Sequence, residues 1–308
     1  MLSINKKRPM KFVDVKNDIA FKKIFGNEKK TQILISFLNA ILKLEGQQRI
    51  VEVDIINPYL LPRVAGEKAS IIDVRAKDEK GRQFVIEMQV ADVDGFGKRV
   101  QYYTCRDYST QIDRGDQYAL LKPTYFIGIL DFNFFEKAEY LSNHIILDEK
   151  TYEHTLKDIR FTFIELQKFN KEETELETLT DKWIYFIKKA EDLNLIPDNV
   201  NDTGLMEAYK DADKHSWDKE ELIAYDNSYI AEQDERGKII AAEKRGKVEG
   251  RTEGRIEGRI EGEVKGKNKV IKRCWQKNMA VEDIAEITEL TIEEVKEIIQ
   301  SFNNEKNS

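Results

Sequence analysis

Cysteine and histidine are both scarce in this chain of 308 residues, which contains two of the first and three of the second. Cys105 and Cys274 lie far apart and have no histidine at ligand spacing, so the sequence excludes a disulfide framework and a zinc site. The histidines, at positions 144, 154 and 215, are scattered along the chain. A histidine general base is therefore not expected.

Long apolar runs are also missing. None approaches the ~18 residues that a membrane span needs, and the opening MLSINKKRPM has basic residues without the apolar segment of a secretion signal. We therefore expect a cytoplasmic protein that does not enter a membrane. The apolar content of 41% is enough for one sizeable core with appendages, or for two modest domains.

The charge of the chain is unevenly distributed. The net charge of −7 argues weakly against nucleic acid as a partner, but residues 236–277 contain 14 Lys or Arg against 6 Asp or Glu. This segment carries +8, so the rest of the chain carries −15. A basic tail on an acidic body can hold a polyanion or another subunit, and a solvated charged helix is the alternative interpretation.

The hydrophobic pattern predicts an α/β order. Apolar residues recur at helical spacing in NDIAFKKIFG and TQILISFLNAILKL, so helices are predicted first. Three strand-like segments follow, IVEVDIIN, SIIDVRAKD and RQFVIEMQV, and the last two are joined by a turn around Lys80 and Gly81. GFGKRVQYYTCRDYSTQIDRG is predicted to be a helix and PTYFIGILDF a buried strand. The predicted order is αβββαβ.

The remaining sequence is predicted to be mostly helical. Two further strands are predicted at HIILDE and IRFTFIEL, and together with the preceding elements they complete a domain of residues 12–168. Residues 169–235 are predicted to form a helical subdomain, and a basic tract with glycine at every fourth position covers residues 236–268. Residues 269–303 are predicted to form three short amphipathic helices, similar to a helix-turn-helix module.

Three polar side chains interrupt the second and third predicted strands: Asp73, Glu87 and Gln89. If the hairpin turns about Lys80, Asp73 lies opposite Glu87, and opposed Cβ atoms are ~4.5–5.5 Å apart. Two partly buried carboxylates in this arrangement repel, and a divalent cation relieves the repulsion. Mg²⁺ or Mn²⁺ bound by Asp73, Glu87 and the main-chain carbonyl of Met88 would keep positions for a phosphate oxygen and a water. Gln89 is then predicted to orient that water or the phosphate.

The acidic pair has a second interpretation. An Asp on one strand and a Glu on the next commonly form a solvent-facing polar edge. The apolar residues of the opposite face do not exclude this, because an antiparallel sheet can leave one face in water. If the pair is catalytic, the scattered histidines favour metal-activated water over a histidine base.

An αβββαβ core with Asp on the second strand and Glu-x-Gln on the third resembles the PD-(D/E)XK nuclease superfamily, in the variant where Gln replaces the terminal Lys. The resemblance covers about residues 14–165. It implies a restriction-endonuclease-like core, with a central mixed sheet flanked by helices, and a helical C-terminal extension. Six segments in order are together similar to the Rpn family, the recombination-promoting nucleases or PD-(D/E)XK nuclease family transposases: NDIAFKKIFG, ILISFLNAIL, INPYLLP, DVRAKDEKGRQFVIEMQV, YYTCRDYSTQIDRGDQY and YFIGILDF.

The resemblance implies Mg²⁺-dependent endonucleolytic cleavage of DNA and a part in recombination or mobile-element biology. Asp73 and Glu87 match the metal ligands, and Gln89 matches the last residue of the motif. Asp18 matches the acidic residue that opens the first helical motif and is expected to complete the site, with Lys22 charging its DNA-facing rim. Helix capping and a solvated helix face are the alternative roles of these two residues.

The helix predicted after the third strand carries Arg99, Tyr102 and Arg106 at helical spacing, and Gln111 follows. Arginine binds phosphate oxygens in a bidentate manner and tyrosine hydroxyls can join it, so this face is predicted to contact DNA. Core packing by the tyrosines and surface ion pairs by the arginines is the alternative. For Tyr103 we expect core packing.

Glycine recurs at every fourth position in GKVEGRTEGRIEGRIEGEVKG, residues 246–266. In a helix each repeat advances by about 400°, so the Gly, Arg and Glu rows run nearly along the axis. Like charges then meet within one chain, and each glycine costs ~1 kcal/mol of helix propensity. A second copy could pair its Arg and Glu rows across the bare glycine seam, so we expect homo-oligomerisation through this tract. A flexible or nascent helix is the alternative.

Three functions are consistent with this sequence. The first is a Mg²⁺-dependent DNA endonuclease that hydrolyses phosphodiester bonds with metal-activated water. The second is a catalytically silent, nuclease-fold DNA-binding or regulatory protein that uses its C-terminal module for contacts. The third is an oligomeric interaction protein whose tail is the functional surface. The intact acidic positions favour the first.

Overall fold

The structure is a computed structural model that describes residues 9–60 and 70–304. The chain divides into two compact units, of which the first ends at Asp234 and the second begins at Glu235. The strands are β1 (Val53–Ile56), β2 (Tyr59–Leu60), β3 (Ser70–Ile71), β4 (Val74–Asp78), β5 (Gln83–Gln89), β6 (Thr124–Leu130), β7 (Leu141–Ile145) and β8 (Ile159–Glu165). The α-helices are α1 (Asp18–Phe25), α2 (Gln32–Ile41), α3 (Phe96–Ser109), α4 (Leu179–Lys189), α5 (Thr203–Ala212), α6 (Lys219–Gln276), α7 (Val281–Thr288) and α8 (Ile292–Asn304).

Six strands form one mixed sheet in the order β1-β4-β5-β6-β8-β7. The pairs β1–β4, β4–β5 and β7–β8 are antiparallel, whereas β5–β6 and β6–β8 are parallel. Helix α3 connects β5 to β6, as parallel neighbours require a crossover connection. The predicted α/β core with a central mixed sheet flanked by helices is therefore confirmed. Strand β7 contains only the first two residues of the predicted strand HIILDE and begins before it, so that boundary prediction was wrong.

The two faces of the sheet are covered by different helices. On one face, Phe84 and Ile86 of β5 belong to the large core that also includes α1, α2, α4 and α5. On the other face, Val85 packs against Phe96 and Val100 of α3. Side chains along a strand alternate between faces, so Glu87 and Gln89 follow Val85 onto the α3 face.

The hairpin between β4 and β5 has the predicted register, because Val74 pairs with Ile86 and Lys77 with Gln83. The predicted strand SIIDVRAKD, however, is not continuous: β3 ends at Ile71, β4 begins at Val74, and Asp73 lies in a bend between them. Ile72 packs into the core under α3, whereas Val74 packs into the core on the opposite face. Residues two apart in a regular strand share a face, so the backbone rotates at Asp73.

Residues 169–234 pack into the core of the preceding residues. Trp183 of α4 is fully buried, and its ring lies 5.6 Å from that of Phe37 in α2. Its indole N–H donates to Ser36 Oγ at 3.1 Å. Helix α5 approaches α2 so closely that a Cβ on Gly204 would lie 2.5 Å from the Gln32 carbonyl oxygen, so any larger residue forces the two helices apart. These contacts place the helical segment and the sheet in one compact unit.

Helix α6 continues through the glycine tract to Gln276, and so includes the first of the three short helices predicted near the C-terminus. The end of α6 forms a small core with α7 and α8, in which Ile271, Ile284 and Val295 are fully buried. Glu289 ends α7 in a left-handed conformation (φ 52°), and Thr288 Oγ1 donates to the Ile284 carbonyl. No helix among the described residues has the length and apolar content required to cross a membrane.

Candidate active site

Asp73 lies where β4 would have continued beside β5. Its carboxylate Oδ2 accepts the N–H of Met88 at 2.8 Å, which takes the place of a main-chain ladder bond. The N–H and C=O of one strand residue point to the same side of the strand, so the Met88 carbonyl also faces Asp73. The bend therefore brings a carboxylate and a main-chain carbonyl together at the end of β4.

Glu87 lies one step beyond the last ladder pair, Val74 and Ile86, and is only 8% exposed. Burial raises its pKa well above the usual value, the negative charge of Asp73 raises it further, and Arg99 opposes the shift. Within the described part of the chain, Glu87 Oε1 is buried and has no hydrogen-bond partner. An unpartnered buried carboxylate oxygen is costly, so this position favours either a proton or a cation.

The pKa of Asp73 is also raised, chiefly because the carboxylate is buried. The N–H of Met88 and the ammonium group of Lys22 oppose this shift, whereas the charge of Asp18 adds to it. The structure therefore brings Asp73 close enough to Glu87 for the charge of Asp73 to raise the pKa of Glu87. Each carboxyl group therefore ionises only at a higher pH than usual, unless a positive charge close to it lowers its pKa.

Asp18 and Lys22 lie one turn apart on α1 and reach the same site. Lys22 Nζ is 2.5 Å from Asp18 Oδ1 and 3.5 Å from Asp73 Oδ1, so the ammonium group bridges the two carboxylates. These ion pairs raise the pKa of Lys22 although burial alone would lower it. Asn17, rather than Asp18, caps the helix by accepting the N–H of Ile19 at 3.1 Å.

The start of α6 holds α1 in place. Asn17 Nδ2 donates to both Ser228 Oγ and Glu232 Oε1 at 3.0 Å, and the Asp18 N–H donates to the same Glu232 oxygen at 3.1 Å. The hydroxyl of Tyr225, a buried residue of α6, accepts the N–H of Asp14 at 2.9 Å. The position of Lys22 thus depends on contacts between distant parts of the chain, since the Asn17–Ser228 bond joins residues 211 positions apart.

Arg99, in the first turn of α3, lies against Gln89. Its Nη2 donates to Gln89 Oε1 at 2.6 Å, while Gln89 Nε2 donates to the Ala91 carbonyl at 3.1 Å. The same guanidinium lowers the pKa of Glu87, so it is close to the acidic pair. Gln89 therefore fixes the orientation of a cationic side chain beside Glu87.

The other predicted DNA contacts lie further along α3. Arg106 is buried and its Nη1 donates to the Tyr102 hydroxyl at 2.8 Å, and Tyr102 itself is 45% exposed. Gln111 donates to the Lys122 carbonyl at 2.9 Å and accepts the Lys122 N–H at 2.9 Å. It also bonds Thr124, which pairs with Gln83 at the opposite end of β5 from Gln89. The structure does not bring Gln111 to the acidic pair.

Tyr103 is close to the acidic pair although only core packing was expected for it. Its ring packs against the cluster under α3, as predicted. Burial raises the pKa of its hydroxyl, and the negative charges of Glu87 and Asp73 raise that pKa further. Its position one turn after Arg99 on the same helix is the sequence signal that places it near the site.

The residues at this site fit a divalent cation. In residues 9–60 and 70–304, no group of three or more His, Cys, Asp or Glu side chains is arranged to hold a metal ion. Asp73 and Glu87 nevertheless supply two carboxylates and Met88 a carbonyl, and Glu87 Oε1 is an oxygen that no described residue satisfies. Mg²⁺ accepts such a small set of hard oxygen ligands because it usually retains several waters.

A mixed sheet with α3 across one face, and an acidic pair at the end of its central hairpin, defines a nuclease-like α/β fold. Residues 15–242 match the family described as PD-(D/E)XK nuclease family transposase, and the chain belongs to this family. The match extends beyond the motifs to include α4, α5 and the start of α6. Comparison with curated proteins and with solved structures finds no match.

Proposed function

We propose that the protein is a Mg²⁺- or Mn²⁺-dependent DNA endonuclease that hydrolyses phosphodiester bonds. The single observation that carries this proposal is the buried, unpartnered Glu87 Oε1 beside the Asp73 carboxylate, in a chain of this nuclease family. Both acids have raised pKa values, and Glu87 Oε1 has no hydrogen-bond partner among the described residues. A bound divalent cation removes the repulsion and accounts for their position.

Each residue has a proposed role in the reaction. Asp73, Glu87 and the Met88 carbonyl hold the ion, which when bound supplies Lewis acidity and lowers the pKa of a coordinated water. Gln89 acts through Arg99, since its amide oxygen fixes the guanidinium by a bond of 2.6 Å. The remaining N–H groups of Arg99 donate to the oxygens of the scissile phosphate and so position it.

In family members whose motif ends in Lys, that lysine supplies a cation at the position of Gln89 on β5. In this chain Lys22 of α1 supplies the cation instead. It bridges Asp18 and Asp73 from α1, so its ammonium group is held beside the acidic pair. A positive charge at this place stabilises the negative charge that develops on the phosphate during hydrolysis. Asp18 orients Lys22 in this proposal and completes the acidic rim.

Cleavage of supercoiled plasmid DNA tests the proposed function. Nicked and linear products are expected with Mg²⁺ or Mn²⁺ and are expected to disappear when EDTA removes the ion. Products that persist in EDTA contradict a metal-dependent reaction. Absence of cleavage with either ion, in protein that is folded by circular dichroism, contradicts the enzymatic proposal itself.

The proposed DNA contacts and cellular process are based on the basic C-terminal tract and on the family. Residues 236–277 carry a net +8, so they can retain the polyanion that an acidic body repels. We propose that Tyr102 and Arg106, which are joined by a hydrogen bond, and Lys22 at the rim contribute to DNA contact. Cleavage in the cytoplasm, during recombination or the movement of mobile elements, is the expected process.

The second candidate, a silent DNA-binding protein that uses its C-terminal helices, is less well supported. Residues 280–302 contain seven acidic residues and a single basic residue, Lys296. Phosphate contact depends on Lys and Arg side chains, so α7 and α8 present the wrong charge for the DNA backbone. The acidic module is better suited to a basic protein surface.

We also propose that the chain self-associates through residues 246–266. A Cβ added at Gly250, Gly254 or Gly258 would meet nothing within 4 Å in the described part of the chain, so this row of the helix is open. Ile256 and Ile260 are more than half exposed in the same tract. Two residues advance a helix by about 200°, so these isoleucines lie on the side opposite the glycines.

Light scattering coupled to gel filtration tests the self-association. The intact chain is expected to form a dimer or larger oligomer, and a chain ending at residue 240 is expected to be monomeric, since it retains the α6 contacts to α1 but lacks the tract. A Gly254→Leu/Gly258→Leu variant should also dissociate, because its side chains block close approach, whereas Thr252→Ala should not. An unchanged mass for the shortened chain would refute the idea.

A further inference from the structure

A recess of about 330 Å³ opens beside Asp73, and Glu87 and Arg99 are not among the described residues that line it. This volume is at the lower end of the ~300–1,000 Å³ that is usual for small-molecule sites, so the recess has room for about one nucleoside-sized group. Four charged residues line it: Lys22, Glu28, Asp73 and Arg75. Its remaining wall is mainly apolar and includes Ile55, Ile56, Pro58, Tyr59, Ile71 and Ile72.

Tyr59 and Ile71 form an exposed apolar pair on this wall. They are direct partners in the small β2–β3 sheet, and their exposed fractions are 53% and 54%. Directly opposed residues of an antiparallel pair point to the same face, so the ring and the isoleucine side chain lie side by side. The pair is tied to the site, because Ile71 is followed two residues later by Asp73, and the Ile72 N–H donates to the Pro58 carbonyl at 3.1 Å.

We propose that this recess binds one unpaired nucleobase next to the scissile phosphate, stacked on Tyr59 and Ile71. The inference rests on the proposed function and names its substrate class: DNA with an unpaired nucleotide at the cleavage point. An aromatic ring beside an aliphatic side chain is a stacking surface that accepts any base by its π-face. The cationic Lys22 at the same recess suits the phosphate to which that nucleotide is attached.

A base within a perfect duplex is stacked on both sides and paired, so it reaches such a recess only after extrusion. An unpaired base enters without that cost. The recess therefore favours single-stranded DNA, or a duplex that is frayed or bulged at the cleaved position, over a perfect duplex. Tyr59 and Ile71 belong neither to the acidic pair nor to the cations, Lys22 and Arg99, that are proposed to contact the phosphate. The stacking surface can therefore be altered without replacing those residues.

Binding of fluorescent oligonucleotides to the full chain with Mg²⁺ tests this subsite. All variants are made in a Glu87→Gln background to prevent cleavage, and each is measured with a single strand and with a perfect duplex of the same sequence. Tyr59→Ala is expected to weaken single-strand binding by about 5- to 20-fold, the lower part of the range for loss of one stacked base. Duplex binding should change little, and Tyr59→Phe should keep the single-strand affinity.

Tyr118→Ala is the matched control, since Tyr118 is an exposed tyrosine that does not line the recess. Its affinities should equal those of the background, and equal thermal midpoints will show that each variant is folded. Unchanged single-strand binding in Tyr59→Ala, or equal losses for both DNAs, overturns the subsite. Plasmid cleavage by the wild type is measured separately, so loss of stacking in a protein that does not cleave would support the subsite and refute the nuclease.

Discussion

Asp73→Asn is expected to reduce metal-dependent DNA cleavage by at least about 100-fold, the upper end of the loss seen when a residue that only supports a metal ligand is removed. The amide oxygen of asparagine can still accept the Met88 N–H, so the bend between β3 and β4 should persist. What the substitution removes is the negative charge. The measurement is the initial rate of plasmid nicking at saturating Mg²⁺.

Asp198→Asn is the matched control, because it makes the same carboxylate-to-amide change at an exposed position. Its nicking rate should equal that of the wild type. Undiminished cleavage by Asp73→Asn would show that the activity comes from another site or from a contaminant. The proposed role of the Asp73 carboxylate would then be wrong.

Glu87→Gln is expected to stabilise the metal-free protein at alkaline pH. The pKa of Glu87 is raised in the fold, so its protonated form is favoured there, and the associated stability is fully present below the unfolded pKa of ~4.3. That stability is lost as the pH rises through the folded pKa. Glutamine resembles the protonated acid and has no such loss. In EDTA the variant should therefore melt above the wild type at pH 8, by about 2–4 °C for each 1 kcal/mol relieved, and the gap should close on acidification.

Addition of Mg²⁺ should reverse this order. The ion stabilises the form that binds it, so the wild type gains stability with rising Mg²⁺ while the variant gains less. Glu149→Gln, an exposed substitution, should follow the wild type in both conditions. A Glu87→Gln midpoint below that of the wild type in EDTA at pH 8 would mean that the carboxylate is satisfied by the protein, and would remove the reason to place a cation there.

Local patterning was sufficient to predict the hairpin. The distance from Lys80 to Asp73 equals the distance to Glu87, and the observed register, with Val74 opposite Ile86, is the one this symmetry requires. The bend at Asp73 was not predictable, because SIIDVRAKD alternates as a single strand does. The bend depends on which core receives each apolar side chain, and Ile72 and Val74 enter different cores.

The neighbours of the acidic pair were only partly predictable. Helical spacing placed Lys22 one turn after Asp18. The bridge that its ammonium group forms between Asp18 and Asp73 was not predictable, because it depends on the contacts by which α6 holds α1. Arg99 was selected for DNA contact, and the structure adds its bond to Gln89. Gln111 was also selected for DNA contact, yet it follows the end of α3 and bonds Thr124, at the opposite end of β5 from Gln89.

The amino-acid sequence by itself determined the αβββαβ order, the acidic pair on one hairpin and the family, because alternation, helical period and motif spacing are local properties of the chain. Only the tertiary structure decided which polar groups meet. Burial leaves Glu87 Oε1 without a partner among the described residues and raises its pKa, and α1 brings Lys22 to Asp73. Burial and charge proximity arise from the packing of elements distant in sequence, so no local pattern records them.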